Sequence, residues 1–549
     1  MNGGHLLVEC LKKHGVDLAF GVPGESYLAV LDALHDARNS IRFVNARHEG
    51  GAAFMAAAYG KLTGRTGVAM VTRGPGATNA SIGVHTAMQD STPMVLFVGQ
   101  VASGDVGREA FQEIDYRAFF GTVAKWVCEI DRADRIPELL MRAFATANSG
   151  RPGPVVVSLP EDVLREETNA RAGEPVAIAE PNVGANELKR VLEMLSEAER
   201  PLVIVGGGGW NQAGRSALRG FAEAAQLPVA VAFRSQDTID NASPSYVGDA
   251  GLGKARYMLD LINEADVILA LGVRFGETLT DGYTLFDMPE PRQRIIHVHA
   301  SADELGKIVR PALAIHAGVN ATVSALRDAG GIDGSRWAER TKAAHEAWRN
   351  VLDAPQQDAA LDMSLVMKHL REVLPDDAIV TSGAGNFSIW NNRHLDYPAD
   401  RRMIAPQSGS MGYGVPAAVV AKMVHPERMA LCFAGDGDFQ MTGMELATAA
   451  QEGAGPIVLV VNNGMYGTIR MHQERDYPER VVGTKLENPD FAGMAESFGM
   501  LGLRVERTED FTDAFERAAA SPSGAVIDLL VNPDYLTPAK RVADWRSGS

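Results

Sequence analysis

Short apolar runs alternate along the chain with longer stretches whose apolar residues recur at helical spacing, and glycine, proline or asparagine marks the joints. In the first 165 residues the runs at 18–20, 41–44, 67–71, 93–98 and 154–159 predict strands. Helical patterns fall between them: 4–14, 25–36, a small-residue stretch opening at Glu49, and 81–88. The turns GVPG (21–24) and GPGATN (74–79) sit where strands give way to helices. Buried strands alternating with helices predict a doubly wound parallel sheet.

Residues 166–185 lack periodicity and carry two prolines, as a linker does. A second α/β pattern starts near Asn186, with strands expected at 202–205, 229–231, 267–271 and 295–298 and a run of glycines at 206–209. This is Rossmann-like, without GxGxxG spacing. Polar sequence at 333–358 reads as a link to a third unit, which opens with a helix at 363–373 and a strand at 378–381 and closes with a strand at 524–531. The expectation is an α/β chain of three doubly wound parallel-sheet domains, at 1–165, 186–331 and 359–549. The first and third share a rhythm but no demonstrable sequence repeat.

The stretch 431–468 organises the rest. An apolar run (431–434) meets Gly435-Asp436-Gly437, a helical pattern follows at about 442–451, and a second apolar run (457–461) ends in Asn462-Asn463-Gly464. Asp436 and Asn463 lie 27 residues apart, about what strand, helix and strand require. A carboxylate and an amide carbonyl at the ends of two neighbouring strands are hard oxygen ligands, suited to a small cation such as Mg²⁺ that takes its other ligands from water and phosphate. Gly435 and Gly437 leave backbone N–H groups open to phosphate oxygens at the coming helix.

Composition narrows the picture. A chain of 549 residues is too long for one core. The net charge of −17 argues against a nucleic-acid or anionic-membrane partner. Three well-separated cysteines, Cys10, Cys128 and Cys432, read as buried free thiols of a reducing compartment. No run reaches the length of a membrane span, and the first residues lack a basic-then-apolar leader pattern, so a cytoplasmic protein is expected.

The GDG and NN pair at this spacing resembles the thiamine diphosphate (ThDP) motif of the superfamily that includes acetolactate synthase, pyruvate decarboxylase and benzoylformate decarboxylase. The resemblance implies that Asp436, Asn463 and the backbone carbonyl of Met465 hold Mg²⁺, which clamps the cofactor's diphosphate. Gly435, Gly437, Asp438, Phe439 and Tyr466 fall among the implied cofactor contacts. Glu49, in Arg47-His48-Glu49-Gly50-Gly51, is by itself an acid at a helix start, favoured there by the macrodipole. In the resemblance it hydrogen-bonds the aminopyrimidine ring and promotes deprotonation of the thiazolium carbon. Met411, in Ser408-Gly409-Ser410-Met411-Gly412, matches the bulky residue that bends the cofactor into a V. The backbone of Gly409 and Met411 matches the positions that bond the aminopyrimidine. Gly385 and Asn386, at a strand end, are implied in the diphosphate site, and Gln112 matches an active-site loop that touches bound intermediates.

The implied enzyme decarboxylates a 2-keto acid such as pyruvate and passes the fragment to a second carbonyl. It works as a homodimer or homotetramer whose active sites lie between subunits, the glutamate from one and the diphosphate site from its neighbour. Other readings are a carboligase, lyase or decarboxylase of the same superfamily acting on another 2-keto, 2-hydroxy or acyl-CoA substrate, a dinucleotide-dependent oxidoreductase using the middle domain, and a non-catalytic relative. FAD, which many acetolactate synthases carry on the middle domain, stays open. The sequence departs from the biosynthetic pattern at two places. Phe275-Gly276-Glu277-Thr278 has Thr278 where that pattern has an acceptor-binding arginine, and His472 falls about where it has a tryptophan.

Overall fold

The computed structural model describes residues 1–546. Eighteen strands, β1 (Leu18–Gly21), β2 (Arg42–Asn45), β3 (Gly67–Val71), β4 (Met94–Gln100), β5 (Trp126–Glu129), β6 (Pro154–Pro160), β7 (Pro201–Val205), β8 (Val229–Val231), β9 (Tyr246–Asp249), β10 (Val267–Leu271), β11 (Arg294–His299), β12 (Leu313–His316), β13 (Ile379–Ser382), β14 (Arg402–Ile404), β15 (Ala430–Gly435), β16 (Ile457–Asn462), β17 (Leu501–Val505) and β18 (Ala525–Leu530), form three six-stranded sheets. Every paired strand runs parallel to its neighbours. The central strands are buried on both faces, which is why they read as unbroken apolar runs.

The first sheet runs β2-β1-β3-β4-β6-β5 and the third β14-β13-β15-β16-β18-β17. Counted from the start of each unit the two orders are the same, so the shared rhythm of the sequence is a shared topology. The middle sheet runs β12-β11-β10-β7-β8-β9, the dinucleotide-fold order read from its far edge. One glycine of its 206–209 run serves packing between domains. A Cβ on Gly208 would collide with the carbonyl of Ser91 in the first domain, and the Trp210 ring N–H donates to the Gly206 carbonyl.

The first and third domains share a core. The helix Glu49–Thr63 is buried along almost its whole length, built from alanines and glycines that let neighbours approach closely. It lies between the helix Pro75–Asp90 and the third domain's helix Gly414–Val424, with Phe54 edge-on to Tyr413 at 5.5 Å. Three local expectations are corrected. GPGATN is the first turn of the helix Pro75–Asp90, Pro75 being well suited to a first helical position, rather than a separate loop. The helix expected at about 442–451 is a 3₁₀ turn at Gly443–Glu445 followed by a helix at Leu446–Glu452, and a separate short helix, Asp436–Gln440, precedes them. Within the polar link lies a helix, Ala338–Leu352, whose Thr341, Ala344 and Trp348 recur at helical spacing and pack toward β9, with Trp348 edge-on to Tyr246.

Candidate active site

The third sheet changes winding direction between β13 and β15, and the loops leaving the carboxyl ends of those strands face a crevice, where open α/β sheets bind ligands. β15 ends at Gly435, and Asp436 opens the short helix. The register pairs Gly435 with Val461 on β16, which sets Asp436 beside the Asn462-Asn463 end of that strand. A cavity of about 230 Å³ opens here. Its lining includes Gly385, Asn386, Gly409, Met411, Gly435, Asp436, Gly437, Asp438, Asn463, Met465 and Tyr466. Phe439 is not among them: its side chain is fully buried, edge-on to Phe491 at 5.3 Å, and serves the core.

The donor set suits a metal-bridged diphosphate. Among the described residues no lysine or arginine lines the cavity, so a polyanion there needs its charge met by a cation. Among the described residues no group of three or more His, Cys, Asp or Glu gathers into a metal cluster. A cation held by Asp436 and Asn463 must therefore complete its shell with backbone, water or ligand oxygens, the habit of Mg²⁺. A Cβ on Gly437 would strike the Tyr466 ring and one on Gly435 the Phe387 ring, so the floor is bare backbone. Burial pushes the Asp436 carboxyl above the usual range, against hydrogen bonds from Asn488 and from backbone N–H groups.

Asp438 ties the crevice loops together. Its Oδ1 accepts from Ala384 N–H at 2.9 Å and from Gly412 N–H at 2.8 Å, joining the loop after β13 to the Met411 loop. Burial pushes its carboxyl up to about 7, with the two backbone N–H groups and nearby Arg234 pulling the other way. Arg234 reaches in from the middle domain and donates to the carbonyls of Gly383 and Pro406, both at 2.7 Å. Asn386 N–H donates to the Thr468 hydroxyl at 2.9 Å, locking that loop to the segment after Asn463.

A second cluster lies in the first domain. Glu49 is the first residue of its helix, and its Oε2 accepts from Asn79 Nδ2 at 2.9 Å. Gln112 holds a left-handed backbone at φ 67°, and its Oε1 is buried without a hydrogen-bond partner. Unpartnered buried amide oxygens and left-handed non-glycine backbones are features that cluster at active sites. The two sit on either side of the helix start at Gly74–Gly76: Gly76 packs toward Glu49 Oε1 and Gly74 against the Gln112 backbone. Neither Glu49 nor Gln112 lines the third-domain cavity of the same chain.

Glu445 connects the two domains. It is fully buried, and its carboxylate accepts from the backbone N–H groups of Arg47 and His48 at 3.1 Å and from the Thr448 hydroxyl at 2.6 Å. A Cβ on Gly51 would collide with it, so the glycine after Glu49-Gly50 is required by this carboxylate's approach. Burial raises its pKa. Sequence reasoning singled out none of Glu445, Asn488 or Thr468, and it reached Asn79 only within a motif. Only Asn79 had a signal, as the last residue of GPGATN.

Fold and crevice define a ThDP-binding enzyme, and comparison with known proteins agrees. Family models match residues 1–119 (thiamine pyrophosphate enzyme, N-terminal TPP binding domain), 188–326 (central domain) and 383–529 (C-terminal TPP binding domain). The chain belongs to the thiamine pyrophosphate enzyme family. Among its relatives, the acetolactate synthase large subunit of Parasynechococcus marenigrum is 34% identical over 97% of this chain and 88% of the relative. The acetolactate synthase isozyme 2 large subunit of Escherichia coli is 31% identical over 97% and 96%. The mitochondrial acetolactate synthase catalytic subunit of Saccharomyces cerevisiae is 31% identical over 100% and 83%. Among the described residues no helix is long and apolar enough to cross a membrane.

Proposed function

We propose that the chain is a ThDP- and Mg²⁺-dependent acetolactate synthase-like enzyme, which decarboxylates a 2-keto acid such as pyruvate and transfers the remaining fragment to a second carbonyl. The observation that carries this reading is the juxtaposition of Asp436 and Asn463 above a cavity that has bare backbone, Met411 and no cationic side chain. Asp436, Asn463 and the Met465 carbonyl hold the metal. Gly385, Asn386, Gly437 and Tyr466 border the diphosphate. Once bound, the cofactor supplies a nucleophilic carbon and an electron sink. Glu49, steadied by Asn79, holds the proton at the ring nitrogen. Met411, on the cavity wall, would orient the bound cofactor.

The active enzyme is a homodimer or a homotetramer. Glu49 and Gln112 form one half-site and the GDG crevice another, and the two do not share a cavity within one chain. Exposed apolar side chains flank both: Ile82 and Phe111 near the first, Met441, Met444 and Ile469 near the second. That distribution supports burial against a second copy.

A second reading within the family, a carboligase, lyase or decarboxylase with another substrate, is favoured by the 274–281 segment. Thr278 stands where the biosynthetic pattern has arginine, and nearby cations are engaged elsewhere. Arg274 donates to the Gln89 carbonyl at 2.6 Å, and buried Lys254 donates to the Thr278 carbonyl and to Asp281. The deciding experiment supplies ThDP and Mg²⁺, offers 2-keto acids singly and in pairs, and identifies the products. Acetolactate from pyruvate supports the first reading, and simple aldehydes or mixed acyloins support the second. No turnover of any keto acid, acyloin or acyl-CoA would refute both.

A further inference from the structure

Asn488 lies outside every motif discussed so far, yet it touches the centre of the crevice. One of its amide hydrogens goes to Asp436 Oδ2 at 2.7 Å and the other to Asn462 Oδ1 at 2.8 Å. Its own oxygen accepts from Gln440 Nε2 at 3.0 Å. Asn462 in turn donates to Asp528 Oδ1 on β18 at 2.9 Å. The chain has a direction. A carboxylate on β18 can only accept, so the Asn462 amide must present its NH₂ to Asp528 and its oxygen to Asn488. Asn488 is then left to present its NH₂ to Asp436. Reversing either amide sets oxygen against oxygen. The other Asp436 oxygen accepts from Gly437 N–H at 3.0 Å, so both carboxylate oxygens are oriented before any cation arrives.

Asn488 is brought here by its own segment. Tyr466 N–H donates to the Thr484 carbonyl at 2.9 Å and Leu486 N–H to the Gly464 carbonyl at 2.8 Å. These bonds fasten 484–486 alongside 464–466, the stretch that carries Met465.

On the reading of Asp436 as a metal ligand, we propose that Asn488 is the positioning residue of the metal carboxylate, fixing the Asp436 rotamer through a hydrogen-bond chain anchored at Asp528. Partners that orient a ligating side chain typically contribute 10- to 100-fold to metal affinity. Asn488 is only half-buried, so truncating it opens no core cavity.

The test titrates Mg²⁺ into the full-length protein with ThDP present and follows cofactor binding by tryptophan fluorescence or calorimetry. Wild type is compared with Asn488→Ala and with Asn488→Ser, which retains a hydroxyl donor. Gln440→Ala, which removes a partner of Asn488 without touching the carboxylate, is the control. The proposal expects Mg²⁺ half-saturation to rise about 10- to 100-fold in Asn488→Ala, less in Asn488→Ser and little in Gln440→Ala. It also expects kcat at saturating Mg²⁺ near wild type and metal-free melting little changed. Unchanged Mg²⁺ affinity in Asn488→Ala overturns it, as does a loss of cofactor binding that no Mg²⁺ concentration restores. If wild type itself shows no Mg²⁺-dependent ThDP binding, the ligand assignment of Asp436 fails, a result distinct from either.

Discussion

Glu445→Ala is the perturbation that best separates the architecture of Glu49 from that of the cofactor crevice. The buried carboxylate is the acceptor for two backbone N–H groups, those of Arg47 and His48, two residues and one residue before the helix that Glu49 opens. Removing it strands two donors, at roughly 1–3 kcal/mol each, offset in part because a buried carboxylate with a raised pKa is itself costly. The turn relieves the deficit by moving, and a displacement of about 1 Å at a catalytic group is worth on the order of 100-fold in rate. The expected result is a kcat lowered about 100-fold, with the dissociation constant of ThDP and Mg²⁺ within about threefold of wild type, since Glu445 does not line the diphosphate cavity. Glu445→Gln is the companion. Oε1 already accepts from both N–H groups, and an amide oxygen can take that place, so Gln recovers most of the rate. The assay pairs steady-state kinetics with cofactor binding by calorimetry. Wild-type kcat in Glu445→Ala, or a parallel collapse of cofactor affinity, would refute the reasoning.

Glu49→Gln should keep the fold and ThDP affinity but lose about 10²- to 10⁴-fold in kcat, the usual scale for a proton-transfer group. Retained turnover removes Glu49 from its role. Asp438→Asn keeps an oxygen where Oδ1 accepts from Ala384 and Gly412. Because burial raises the Asp438 carboxyl to about 7, the native state holds a proton that the unfolded chain releases near pH 4. Ionisation therefore opposes folding increasingly from pH 4 to 7. The metal-free variant should melt above wild type at pH 8, by up to the order of 4 kcal/mol, with the advantage fading toward pH 4. An advantage that grows on acidification contradicts this. Chelation with EDTA should abolish ThDP binding, and excess Mg²⁺ should restore it; chelator-insensitive binding would mean that cations are not needed to offset the diphosphate charge.

The three sheets were legible because doubly buried strands write apolar runs and their loops write glycine. The GDG and NN ends were legible because a β-α-β crossing fixes their spacing. What escaped was set by contacts distant in sequence. Glu445 looks like any helix-side acid until its carboxylate is found on the Arg47 and His48 amides, about 400 residues away. Asn488 looks like a loop residue until its segment pairs beside Met465. Phe439 misled because it follows a motif, whereas its position on the short helix turns it into the core. The polar link hid a helix because charged residues outnumber its few buried ones.

The most direct test is a crystal structure of the protein grown with ThDP and Mg²⁺. The account predicts a cation about 2.1 Å from oxygens of Asp436, Asn463 and the Met465 backbone, bridging the diphosphate, with Glu49 of a neighbouring copy on the aminopyrimidine ring. Cofactor density outside the crevice between β13 and β15, or a cation that leaves Asp436 untouched, would contradict it.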